Sequence, residues 1–196
     1  MKKLRFLTLL GAFFCSFFNA QAMRSVLFAD SCVHPETKMK VSDLQTGQVV
    51  EIPAQELASN FERYLLFYSE LGDEKSALKQ METVHWAPFE SQMNGKLVIV
   101  HFVNNHSLKL TPNHPVATFE RKMVRAEHLN VGDKVLDEAG NGVEIQSISQ
   151  EDYIGKVYNF GVLSGRSSEL ALFAEGMAVG DFVEQYALEN PELKAN

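Results

Sequence analysis

The chain has 196 residues, with 25 acidic against 18 basic side chains and a net charge of −7. That acidic balance argues against nucleic acid as a partner, because phosphate contacts need clustered Lys and Arg. The length suits one domain with a sizeable core, and no shift in composition marks a second.

Met1-Lys-Lys-Leu-Arg5 is followed by an apolar run from Phe6 to Phe18 and then Asn19-Ala-Gln-Ala22, where small residues alternate as a signal peptidase requires. This pattern predicts a secretory signal peptide over residues 1–22. The run is too short and wrongly flanked for a stable membrane anchor. Cys15 follows Phe14 rather than a small residue, so no lipid anchor is expected either. Cleavage would remove Lys2, Lys3 and Arg5 and no acid, raising the excess of acids from 7 to about 10. The mature chain would act in the periplasm or the medium.

Of the two cysteines, only Cys32 would then remain, in an oxidising compartment and with no partner in its own chain. Such a thiol can be a small buried hydrophobe, half of an intermolecular disulfide, or a nucleophile. Residues 23–31 read as a short leader without periodicity. A turn at Pro35, a strand over Lys38–Val41, a turn at Gly47 and a short apolar strand toward Ile52 follow.

From Ala54 to Leu71 the apolar positions Leu57, Phe61, Tyr64, Leu65, Tyr68 and Leu71 recur at spacings of three and four. They predict one face of an amphipathic helix stopped by Gly72, with a further turn over Ser76–Met81. Glu56, Glu62, Arg63 and Glu70 on the other face favour core packing over a membrane surface or a partner helix. This makes a helical insertion near 54–82.

Strand patterns resume with Lys96–Val103, an Asn104-Asn105 turn able to take positive φ, and His106–Thr111. The hairpin leads into Leu110-Thr-Pro-Asn-His-Pro115, a turn between two prolines that places Thr111 and His114 together. Such a pair can polarise a carbonyl and hand over a proton, or merely hydrogen-bond the local backbone. Ala126–Leu136 reads as a helical turn or loop into a strand. Gly140-Asn-Gly142 turns, and strands are predicted at Val143–Ser149, Lys156–Val162, Leu170–Phe173 and Met177–Val179. Many short strands divided by turns make an all-β domain. Leu44-Gln-Thr-Gly-Gln-Val-Val50 and Leu129-Asn-Val-Gly-Asp-Lys-Val135 share a Leu-x-x-Gly-x-x-Val frame, which suggests two related halves. The histidines form no metal-ligand pattern and only one cysteine is available, so neither metal nor cofactor is expected. Glu184 onward reads as a short helix fraying after Pro191.

Five segments in order carry a resemblance: Cys32 before a strand, Leu110-Thr-Pro-Asn-His-Pro115, Leu129–Val135, Val157-Tyr-Asn-Phe-Gly-Val162, and Leu172–Val179. Together they resemble Hint domains, the autoprocessing domains of inteins, bacterial intein-like proteins and hedgehog C-terminal regions. The resemblance spans residues 32–185, leaving 186–196 as a tail. It implies a compact pseudo-two-fold all-β fold and an N-to-S acyl shift at the Ser31-Cys32 bond. Cys32 would be the nucleophile, Thr111 would donate to the oxyanion or orient the bond, and His114 would supply the proton to the departing amine. The leader would be the chain's own substrate, with water, a thiol or an amine as acyl acceptor.

The departures from the family are equally specific. Where splicing inteins end in His-Asn and a nucleophile, this chain has Gly180, Asp181 and Phe182. The histidine common in the penultimate motif is replaced around Leu170, and Asn159 stands where many members carry an Asp able to act as a base. Cleavage without ligation is therefore expected. Loss of the reaction, leaving a secreted interaction module, and a cysteine peptidase acting in trans are the alternatives.

Overall fold

A computed structural model describes residues 31–72, 78–163 and 169–190. The expected signal peptide, the leader up to Asp30, Ser76-Ala77 and the tail from Pro191 lie outside the described residues. The elements are β1 (Lys38–Asp43), β2 (Val49–Pro53), α1 (Ala54–Ser59), β3 (Tyr64–Glu70), β4 (Met81–Thr83), β5 (Trp86–Phe102) and β6 (Ser107–Leu110). They continue with β7 (Pro115–Ala117), β8 (Met123–Arg125), β9 (Lys134–Leu136), β10 (Gly142–Val162), β11 (Leu170–Ala174), β12 (Met177–Gly180) and α2 (Phe182–Glu189). No described helix is long and apolar enough to cross a membrane.

The strands form two sheets. One runs β2-β1-β3-β11-β12-β7-β8, with β4 also on β3, and the other runs β6-β5-β10-β9. The pairings are antiparallel. β5 and β10 pair from Trp86↔Val162 to Ile145↔Phe102. At 17 residues β5 spans roughly 55 Å, far beyond an ordinary strand. The expected strand at Lys96–Val103 is only its apolar half, where Leu97, Val98, Val100 and Phe102 are buried. The other half alternates polar and exposed at Glu90, Gln92, Asn94 and Lys96. Likewise the two strands expected at Val143–Ser149 and Lys156–Val162 are one continuous β10.

The helical insertion is much shorter than the spacing predicts. α1 ends at Ser59, a single 3-10 turn covers Phe61–Arg63, and Tyr64–Glu70 is a strand. β3 is packed inside its sheet against β1, β4 and β11, with Tyr64, Leu66, Phe67 and Ser69 all buried. A strand covered on both faces carries a nearly continuous apolar run, and such a run satisfies a three-and-four spacing by accident. Met81, expected to end a helix, begins β4 instead.

The turns follow the sequence more closely. Asn105 takes φ 66 between β5 and β6, as expected of an Asn-Asn hairpin. The two Leu-x-x-Gly-x-x-Val frames place Gly47 at φ 69 and Gly132 at φ 91, each just before a short strand. Those strands, β2 and β9, are the edge strands of the two sheets. Corresponding positions in two related halves would be placed in this way. The core between the sheets is built from Met39, Val41, Leu57, Leu66, Val100, Phe102, Leu110, Ile145, Phe160 and Leu172.

Candidate active site around the Ser31-Cys32 amide

Residues 31–33 lie between the end of β6 and the far end of β10. Val33 bridges both Leu110 and Tyr158, giving its N–H to the Tyr158 carbonyl at 2.8 Å and accepting from the Tyr158 N–H at 3.1 Å. On the other flank the Thr111 N–H donates to the Cys32 carbonyl at 2.9 Å. These backbone bonds fix the register of Cys32 before any side chain contributes. Ser31, Cys32, Thr111, His114 and Asn159 are each no more than 1% exposed.

The Thr-Pro-Asn-His turn closes as the sequence predicts, with the His114 N–H donating to the Thr111 carbonyl at 3.1 Å. Glu127 N–H to Pro112 and Ala126 N–H to His114, at 2.7 and 2.8 Å, pin the turn from outside. Two side chains then hold the amide linking Ser31 to Cys32. The Cys32 N–H donates to Thr111 Oγ1 at 2.7 Å, and Thr111 Oγ1 also lies 3.3 Å from the Cys32 carbonyl. On the carbonyl side, Asn159 Nδ2 donates to the Ser31 oxygen at 2.6 Å. The orientation of that amide is fixed because Asn159 Oδ1 accepts from the Phe160 N–H at 2.7 Å, so the nitrogen must face Ser31.

His114 makes an unforeseen contact. Its Nδ1 lies 3.0 Å from the Ser31 hydroxyl, and its Nε2 is buried with no hydrogen-bond partner among the described residues. Burial pushes the imidazole down to about 3, opposed only by the Ser31 backbone. The ring is therefore neutral at pH 7. An orphaned lone pair costs less than an orphaned N–H, which places the single proton on Nδ1, facing Ser31.

The structure thus gathers Ser31, Cys32, Thr111, His114 and Asn159 at one bond. In the sequence Asn159 stands for a missing base, whereas its geometry is that of a donor at the carbonyl oxygen. The signal was available: an amide side chain can donate where a carboxylate cannot. A hydroxyl immediately before Cys32 was the corresponding hint for the Ser31–His114 pair. Asp181 has a different role, since Oδ1 accepts from the Val183 and Glu184 N–H groups and Oδ2 from the Val162 N–H, capping α2. His34, two residues from Cys32, packs edge-on against Tyr153 and is lowered first by burial and then by Lys109. Among the described residues no three His, Cys, Asp or Glu side chains gather to hold a metal.

A cleft of about 450 Å³ opens beside the site, walled by Thr111, Pro112 and Asn113 on one side and by β5 around Ser91–Lys96 on the other. It is large enough for water or a small thiol to approach.

The profile of the pretoxin Hint domain matches residues 90–165, from within β5 to just past β10. The DnaB intein of Synechocystis sp. PCC 6803 superposes with a TM-score of 0.55 at 14% identity, over 77% of this chain and 98% of that one. A bacterial intein-like domain from Clostridium thermocellum gives 0.54 at 19% identity, over 77% and 97%. The Pab PolII intein gives 0.58 at 15%, over 76% and 100%. The reverse gyrase of Pyrococcus horikoshii is 22% identical over 162 residues, which is 83% of this chain but 8% of that protein. The chain thus spans a small part of that relative, and its name carries nothing over. With the pretoxin Hint profile over the Thr111–His114 turn and the strand that bears Asn159, and intein folds covering three quarters of its length, the chain has a Hint-type (hedgehog/intein) fold and is similar to the pretoxin Hint domain over residues 90–165.

Proposed function

We propose that this domain processes itself at the Ser31-Cys32 bond by an N-to-S acyl shift, followed by release of the residues before Cys32 without ligation. The observation that carries the reading is that one amide, buried in the fold, is held at its nitrogen by Thr111 and at its oxygen by Asn159. Both contacts come from side chains rather than from neighbouring backbone.

The chemistry follows from those positions. The Cys32 thiolate attacks the Ser31 carbonyl carbon through a five-membered ring, forming the C–S bond within one residue, so no encounter is needed. Charge develops on the Ser31 oxygen, where the Asn159 Nδ2–H already points. Thr111 keeps the nitrogen fixed while the C–N bond breaks, and His114 supplies the proton that the departing amine requires. The resulting thioester is a better acyl donor than the amide, and water, a thiol or an amine entering by the adjacent cleft takes the leader from Cys32. The Met1–Ala22 pattern supports export, with the reaction in the periplasm or medium.

A cysteine peptidase acting in trans is disfavoured by the burial of Cys32, at 1% exposure. The test is the intact mass of the purified full chain with and without dithiothreitol. Self-processing predicts loss of everything before Cys32, faster with thiol and abolished in Cys32→Ala. A chain that stays whole with thiol is an interaction module, and one that cuts added substrates while staying whole is a peptidase.

A further inference from the structure

We propose that the Ser31 hydroxyl relays a proton from His114 Nδ1 to the departing nitrogen of Cys32, making the residue before the bond part of the machinery that breaks it. This rests on the acyl shift above and specifies its proton path. His114 Nδ1 points to Ser31 Oγ at 3.0 Å, while the Cys32 nitrogen is already engaged by Thr111 at 2.7 Å. The imidazole therefore meets the amide through Ser31. Oγ and the nitrogen of the next residue are separated by four bonds, and ordinary staggered rotamers bring them to roughly 3 Å. Ser31 is wholly buried, so bulk water does not compete for this path.

The count of protons closes without a charged imidazole. The thiol loses its proton as the C–S bond forms, and the Ser31–Cys32 C–N bond needs one proton on nitrogen as it breaks. The proton given up by the thiol enters His114 at Nε2 as another leaves at Nδ1. That proton passes to Ser31 Oγ as the Ser31 hydroxyl proton moves to the Cys32 nitrogen. The ring exchanges one neutral tautomer for the other. Nε2 can take that proton in passing because no hydrogen-bond donor among the described residues engages its lone pair. The depressed basicity of His114 favours such a concerted path over one through imidazolium.

The experiment follows thiol-induced cleavage of the full chain by intact mass, in wild type, Ser31→Ala and Ser31→Thr, across mixtures of light and heavy water. The relay predicts a curved dependence on deuterium content in wild type, since more than one proton moves. Ser31→Ala should be slower by roughly 10²-fold with the curvature removed, and Ser31→Thr should keep most of the rate. A Ser31→Ala rate equal to or above wild type, or a slower one with the curvature intact, overturns the relay and leaves the acyl shift standing. Failure of wild type to cleave overturns both.

Discussion

Asn159 Nδ2 and the Ser31 carbonyl oxygen are 2.6 Å apart, and the Phe160 N–H bound to Asn159 Oδ1 prevents the amide from turning round. The donor is in place before any charge forms, which is the condition under which such a group lowers a barrier. Asn159→Ala should slow thiol-induced cleavage by roughly 10²- to 10³-fold, read from the rate of appearance of the Cys32-started fragment. Asn159→Asp should be slower still at pH 7, because a carboxylate would face the developing oxyanion, and should recover partly as acid protonates it.

Thr111 accepts from a buried N–H, and Thr111→Val keeps the shape while removing the acceptor. Leaving the Cys32 N–H unmatched should cost about 1–3 kcal/mol in urea unfolding, whereas Thr111→Ser should remain near wild type. Cleavage should fall in Thr111→Val and persist in Thr111→Ser.

The pH dependence of stability has a definite sign. His114 titrates near 3 when folded against about 6.5 when unfolded, so between those values the unfolded chain binds the extra proton. Its contribution is fully present above about 6.5 and declines as pH falls toward 3, by at most about 5 kcal/mol. Asp43, held to about 2 chiefly by its hydrogen bond from Arg63, loses its contribution only below about 4. Urea midpoints measured from pH 7 to pH 4.5 should therefore fall in wild type and flatten in His114→Gln.

α2 is seated on a glycine. A Cβ at Gly161 would come within 2.1 Å of the Phe182 ring, which packs at a tilt against Phe89 with 4.6 Å between centroids. Gly161→Ala should cost about 1–3 kcal/mol by forcing the helix outward, and adding Phe182→Ala should recover part of it, as a urea double-mutant cycle would show.

What could be read in advance depended on whether a residue's role is local. The Asn105 hairpin, the Gly47 and Gly132 turns and the Thr111–His114 turn are dictated by neighbours within a few positions, and they stand as expected. Tyr64–Glu70 departs from the helical spacing because its place inside the sheet depends on β1, β4 and β11, none of them a sequence neighbour. The polar half of β5 carries no apolar signal, being held by its ladder to β10. The contacts that Asn159 and Ser31 make at this site are not legible in the sequence for the same reason. Each consists of one hydrogen bond to a residue 128 or 83 positions away.

The cap on α2 calls for a carboxylate. Asp181 offers two oxygens to three N–H groups. An asparagine there would keep one acceptor for the helix but turn an NH2 toward the Val162 N–H, donor against donor. That exchange would thus loosen the helix start and the end of the strand that carries Asn159, two parts of the fold tied together by one carboxylate.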